Sequence, residues 1–324
     1  MSAALPVNAI ERVAVACHDC RAATEHFSRF FGVREWRLAE CGPAGSRYRS
    51  AIGSAGGVGL ELIEPLDASG PFGEFLATHG PGLMHVVLRP EQGAEVAAAA
   101  LQAAGVTVQA RLDDQWVMDS RSVLGGLGLV LEPVAAARPH GEVLHYAHPG
   151  VLPVQQLYQV AMIVPDLDAL RERFAAVLGI EQWVPIELAP GPMLAGCEYY
   201  GEPVEHSARL AIGRSGNACF ELIEPGSGPT VYRDALERHG PCMHHIMATL
   251  CPPEDFDVAA RELRGAGIVV GQQAAIPGLM QFAYFDGGEA LSGVFVEVIS
   301  PLADNWLELM FPSPEVARIV VGDA

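Results

Sequence analysis

The sequence predicts an α+β protein of two tandem domains, each built from two βαβββ modules. Three observations carry that prediction: a long internal repeat, a division of each copy into two smaller units, and a proline-terminated strand closing each unit. The repeat is the strongest. Ala51-Ile52-Gly53 and Glu61-Leu62-Ile63-Glu64-Pro65 recur as Ala211-Ile212-Gly213 and Glu221-Leu222-Ile223-Glu224-Pro225, at a constant offset of 160. The same offset carries His79-Gly80-Pro81 onto His239-Gly240-Pro241 and His85-Val86 onto His245-Ile246. Self-similarity at a fixed spacing marks duplicated structural units.

Each quarter opens on a β-type run: Val13–Ala16, His85–Leu88, Gln159–Val164 and His245–Thr249. A helical stretch follows. Asp168–Leu178 has apolar residues at Leu170, Phe174, Val177 and Leu178, the spacing of one helix face, and either Asp166 or Asp168 caps it. The closing runs are Glu61–Pro65, Leu129–Pro133, Glu221–Pro225 and Glu297–Pro301. Phe31-Gly32-Val33 matches Leu178-Gly179-Ile180 at an offset of only 147, so the second copy carries an insertion. Ala189–Glu205, rich in Gly, Pro and Tyr, is expected to hold it as a loop. The predicted divisions are an N-terminal domain over 8–134, a linker over 135–154, a C-terminal domain over 155–303 and a tail helix over 304–324.

Composition narrows the chemistry. The 324 residues carry 39 acidic and 20 basic side chains, a net charge of -19, and every basic one is arginine. Without lysine, Schiff-base, pyridoxal phosphate and P-loop chemistry are excluded. The acidic balance argues against nucleic acid and anionic membranes as partners. Apolar runs such as Val96–Leu101 are too short to cross a bilayer, and Met1–Ala9 lacks the pattern of a secretory signal. Seven scattered cysteines fit a reducing compartment, so a cytoplasmic location is expected. Cys17 and Cys20 form a CxxC with no second pair to complete a zinc site, and are read as incidental.

The run from Tyr158 to Leu167, then Phe174 to Ile180, and the strand Met243-His244-His245-Ile246-Met247 resemble the vicinal oxygen chelate superfamily. That superfamily includes glyoxalase I, methylmalonyl-CoA epimerase, extradiol dioxygenases and bleomycin-resistance proteins. The resemblance spans Ile10 to Pro301. It implies that paired modules curve a mixed sheet into a cup, with metal ligands on the first and last strands of each module. Those positions read Arg12, Glu61, His85 and Leu129 in the first half, and Gln159, Glu221, His245 and Glu297 in the second.

The second set looks like that of glyoxalase I. Two carboxylates, an amide oxygen and an imidazole suit one divalent ion per chain: Mn, Fe, Co, Ni or Zn. The first set is degenerate, because Arg12 brings a permanent cation and Leu129 an alkyl group; Arg12 is expected to pair with Glu61. Pairing neighbouring modules keeps the good ligands in one cup, whereas a swapped pairing damages both. His85 is read as structural. His244 is expected on the opposite face of the sheet from His245, either structural or supporting the ligands from behind, and His140, His145 and His148 as a surface cluster. Glu64 and Glu224 are expected to point away from the cups.

The resemblance implies proton transfer beside a metal-bound carbonyl or enolate of a small organic substrate, by an isomerase, epimerase or lyase. Of Glu221 and Glu297, one would stay a ligand while the other acts as base. The first alternative is an Fe(II) extradiol dioxygenase, for which Tyr284 stands like the tyrosine before the final glutamate. Against it, Gln159 replaces a histidine, Glu221 adds a fourth ligand, and Asp286-Gly287-Gly288-Glu289 departs from the family turn. The second alternative is a non-catalytic, resistance-type binding protein. Met193, Tyr199, Tyr200 and the segment Leu279–Phe285 are candidate cup walls. The apolar tail Asn305–Val321 is expected to pack over a domain or against a second copy in a homodimer.

Overall fold

Two mixed sheets, one for each half of the chain, form the frame of the protein. The computed structural model describes residues 4–135, 140–152, 154–191 and 193–322. Residues 136–139 and 153 of the expected linker, 192 of the insertion, the first three residues and the last two lie outside the described residues.

The first sheet takes β1 (Arg12–Ala16), β2 (Glu35–Cys41), β3 (Tyr48–Ala55), β4 (Val58–Pro65), β5 (Gly82–Leu88), β6 (Thr107–Leu112), β7 (Gln115–Asp119) and β8 (Leu129–Leu131). Helices α1 (Cys20–Phe31) and α3 (Ala94–Ala103) complete its two βαβββ modules, and α2 (Pro71–His79) joins them. A further strand, β9 (Glu142–His145), hydrogen-bonds to the edge of β2. The stretch expected as linker therefore extends the first sheet, because β2 offers an unpaired edge to the returning chain.

The second sheet takes β10 (Gln159–Ile163), β11 (Trp183–Leu188), β12 (Ala195–Tyr199), β13 (Glu202–Pro203), β14 (Ala208–Ser215), β15 (Ala218–Pro225), β16 (Cys242–Leu250), β17 (Val269–Ile276), β18 (Met280–Asp286) and β19 (Phe295–Pro301). Its helices are α4 (Leu167–Leu178), α5 (Val231–His239) and α6 (Pro253–Gly265). The expected insertion loop is partly ordered as β12 and β13, and β12 pairs with β17 at the sheet edge. Neighbouring modules pair in both halves: β1 joins β4 and β5, and β10 joins β15 and β16.

Local chemistry explains the repeated sequence signals. Asp19 and Asp166 cap α1 and α4 by accepting from the backbone N–H of Ala22 and Ala169, and Gly32 and Gly179 end the same helices with positive φ. The glycine of each Ala-Ile-Gly run lies under a tryptophan. A Cβ at Gly53 would meet Trp36 at 2.8 Å, and one at Gly213 would meet Trp183 at 2.6 Å. Glu64 and Glu224 accept from the first-turn N–H of α1 and α4, at Cys20 and Leu167, and each also pairs with an arginine.

Apolar residues on the helix-bearing faces of both sheets merge into one continuous core. The cups on the opposite faces hold separate apolar clusters. The tail expected as one helix forms two, α7 (Trp306–Met310) and α8 (Pro314–Val321), broken where Ser313 caps α8 ahead of Pro314. Among the described residues no helix is long and apolar enough to cross a membrane. All seven cysteines are free, and the Cys17 and Cys20 sulfurs lie 3.8 Å apart, too far for a disulfide.

Candidate metal centre

Strands β15, β10, β16 and β19 lie side by side, each giving one polar group to the cup. Ala161 of β10 pairs with Glu221 on one side and His245 on the other, while Met247 pairs with Gln159 and Glu297. Gln159, Glu221, His245 and Glu297 thus converge, each no more than 4% exposed.

One ligand atom from each of Glu221, His245 and Glu297 lies within 4.8 Å of the others. His245 Nε2 stands 3.2 Å from Glu221 Oε2 and 3.4 Å from Glu297 Oε2, yet is in hydrogen-bond geometry with neither. The Gln159 amide donates to those carboxylate oxygens at 3.0 and 2.8 Å. Tyr284 donates its hydroxyl to Glu297 Oε1 at 2.8 Å. Burial raises the Glu221 carboxyl to about 7, opposed by His245 and reinforced by the charge of Glu297. Burial disfavours the His245 imidazolium, but the two carboxylates outweigh it and hold its pKa at about 9.

These features fit a divalent cation. Once a cation displaces its proton, a buried imidazole nitrogen aimed between two carboxylates offers a lone pair suited to a metal, and the two negative charges need neutralising. The Gln159 NH2 group partly does so through its two donated bonds.

His244 is not on the opposite face. Ala161 pairs with His245 and Met162 with Met243, which leaves His244 as the extra residue of a β-bulge. The bulge breaks the strand alternation, and the Nδ1 atoms of His244 and His245 lie 2.9 Å apart.

The first half differs from expectation at its fourth position. Val87 pairs with Val130 as Met247 pairs with Glu297, so Val130 rather than Leu129 occupies the equivalent corner. Leu129 faces the helix-side core. Alternation puts Glu132 on the same face as Val130, and its carboxylate binds Arg12. Arg12 also donates to Glu61 Oε2 at 3.1 Å. Nothing in the repeat pointed to Glu132, because its partner in the other half is not a carboxylate. His85 stacks on Phe72 at 5.5 Å.

Walls of the second cup come from Ile186, Leu210, Met247, Met280 and Phe282, around a narrow cleft with about 50 Å³ of free space. Trp306, Met310, Phe311, Val320 and Val321 of the tail segment close it. Arg214 fastens that closure, donating to the carbonyls of Ile319 and Val320 at 2.9 and 3.1 Å. Met280, Phe282 and Tyr284 from the expected wall segment are present. Met193, Tyr199 and Tyr200 are not: Tyr199 and Tyr200 donate to Asp234 and Asp286 instead, and Met193 is exposed.

A profile of the Glyoxalase/Bleomycin resistance protein/Dioxygenase superfamily matches residues 11–117 and 158–285, more than half of the chain. The chain belongs to this superfamily. Within the superfamily fold, a triple mutant of 4-hydroxymandelate synthase from Streptomyces coelicolor superposes with a TM-score of 0.62. The identity is 16%, over 91% of this chain and 93% of that one. The Mn(II)-bound glyoxalase from Novosphingobium aromaticivorans gives a TM-score of 0.50 at 15% identity, covering 92% and 83%. A xylose isomerase-like TIM barrel/4-hydroxyphenylpyruvate dioxygenase fusion protein gives 0.51 at 14%, over 98% of this chain and 52% of that one. At such identities the likeness shows the fold alone. No curated protein matches the sequence.

Proposed function

We propose that this superfamily member is a divalent-metal-dependent isomerase, epimerase or lyase that moves a proton beside the carbonyl of a small organic substrate. The observation that carries this reading is the convergence of Glu221, His245 and Glu297 in a cup whose remaining walls are almost wholly apolar. Residues 155–303 form the catalytic unit, and residues 8–134 a unit whose ligand positions are filled by Arg12 and its partners.

A bound ion, held by Glu221, His245 and Glu297 with Gln159 beside them, would supply the positive charge that favours an enolate. Glu297 is the anchored carboxylate, receiving Tyr284 on one oxygen and Gln159 on the other. Glu221 accepts a hydrogen bond only from Gln159 among the described residues. Glu221 is therefore the freer group, placed to take a proton from the carbon next to the carbonyl and return it. The apolar walls bind the body of the substrate and exclude water. The largely apolar lining among the described residues suits a substrate whose body is apolar away from its metal-facing end.

Metal analysis of protein purified without added ions should find one divalent ion per chain. Neutral α-hydroxycarbonyl and dicarbonyl compounds, assayed with Mn²⁺, Co²⁺ or Ni²⁺ under nitrogen, should exchange the proton on the carbon beside the carbonyl with deuterated solvent. Oxygen uptake with Fe²⁺ and a catechol would establish the dioxygenase alternative instead. Failure of wild-type protein to bind any ion would leave only a binding protein.

A further inference from the structure

We propose that His244 is a positioning residue that fixes the tautomer of His245, and so decides whether this centre can hold its ion. The inference rests on the metal-dependent reading above. The two Nδ1 atoms face each other at 2.9 Å, so one carries a hydrogen and the other accepts it. If His244 were the donor, His245 would place its hydrogen on Nε2, between Glu221 and Glu297, and have no lone pair for an ion. With His245 as donor, its Nε2 lone pair faces the carboxylates at 3.2 and 3.4 Å. His244 then carries its own hydrogen on Nε2. That nitrogen is buried and without a partner in hydrogen-bond geometry.

The arrangement depends on the β-bulge. In regular pairing, His244 would lie behind the sheet, out of reach of its neighbour. Phe295 holds the His244 ring by stacking at 4.7 Å, and Tyr232 meets it edge-on at 6.0 Å. The first half keeps the same bulge, since Ala14 pairs with His85 and Val15 with Leu83, but the bulged residue there is Met84. His85 consequently lacks an imidazole acceptor beside it, in the half whose ligand set is degenerate. Metal-binding histidines commonly need an acceptor on the second ring nitrogen, and losing it costs about 10–100-fold in metal affinity.

The test is calorimetric titration of metal-free protein with Co²⁺, followed in parallel by the visible Co²⁺ spectrum. His244→Phe keeps a ring between Phe295 and Tyr232 but removes the acceptor; His244→Asn places a carbonyl oxygen where Nδ1 stands. We expect the Phe variant to bind about 10–100-fold more weakly with an altered spectrum. The Asn variant should recover most of the affinity, with both melting like wild type in the metal-free state. Equal binding by wild type and the Phe variant overturns this inference alone. Equal losses in the Phe and Asn variants also overturn it, by assigning the effect to ring volume. No binding by wild type overturns the metal reading itself.

Discussion

Arg12 of the first half stands where Gln159 stands in the second, each two residues before its histidine's partner, Ala14 or Ala161. Gln159 donates to two glutamates of the candidate metal centre; Arg12 supplies a permanent cation to Glu61 and Glu132. This position, together with Val130 in the place of Glu297, separates a cup suited to an exchangeable ion from a cup with a covalently tethered one.

Arg12→Met should destabilise the protein by about 3–5 kcal/mol, because it leaves two buried carboxylates without their cation. Urea denaturation measures this. Metal stoichiometry should stay at one per chain, since Val130 still denies the first cup its fourth donor. A cost under about 1 kcal/mol would mean that the network contributes little.

The same network predicts an acid-sensitive stability. Burial works against the Glu132 carboxylate, but Arg12, then Gln115 and Arg89, outweigh it and hold its pKa below the ordinary 4.5. A carboxyl lowered in the folded state stabilises fully above the unfolded value, and that contribution is lost as pH falls below 4.5. Melting temperatures of wild type should therefore drop more between pH 6 and pH 3.5 than those of Glu132→Gln. Parallel curves would contradict the assignment.

Tyr284→Phe removes the hydroxyl on Glu297 while the ring keeps its edge contacts with Tyr232 at 5.3 Å and His245 at 4.8 Å. Losing such a partner of a ligand should weaken metal binding by about 10-fold or more. Titration of metal-free protein reads the affinity, and an unchanged melting temperature separates this effect from loss of packing.

Arg214→Ala should release α8 from the mouth of the cup. Its guanidinium spans the carbonyls of Tyr158, Ile319 and Val320, and hydrogen bonds from charged groups contribute about 1.5–3 kcal/mol each. Limited proteolysis should then cut within residues 304–322 sooner than in wild type, with the two sheets left intact. Cleavage at the wild-type rate would mean that Trp306 and Phe311 hold the closure without it.

Much of this protein was legible in residue order alone. The offset of 160 and a capping aspartate before the third-quarter helix follow from local rules and repetition. These rules define four modules, and the family resemblance marks the residue types at the second half's candidate centre. Other features depend on register and long-range packing. A period of two says which residues share a face, but not which residue of the neighbouring strand lies opposite. Val130 took the place expected of Leu129, with Glu132 on the same face, for that reason. The bulge at His244 is set by the β10–β16 ladder, so alternation alone put this ring on the wrong side. Closure of the cup by the tail likewise required chain segments more than a hundred residues apart, such as Arg214 and Ile319, to meet. The sequence determined the modules and the side chains they carry; the tertiary structure decided which side chains face one another, because hydrogen-bond register and packing are settled only when distant strands pair.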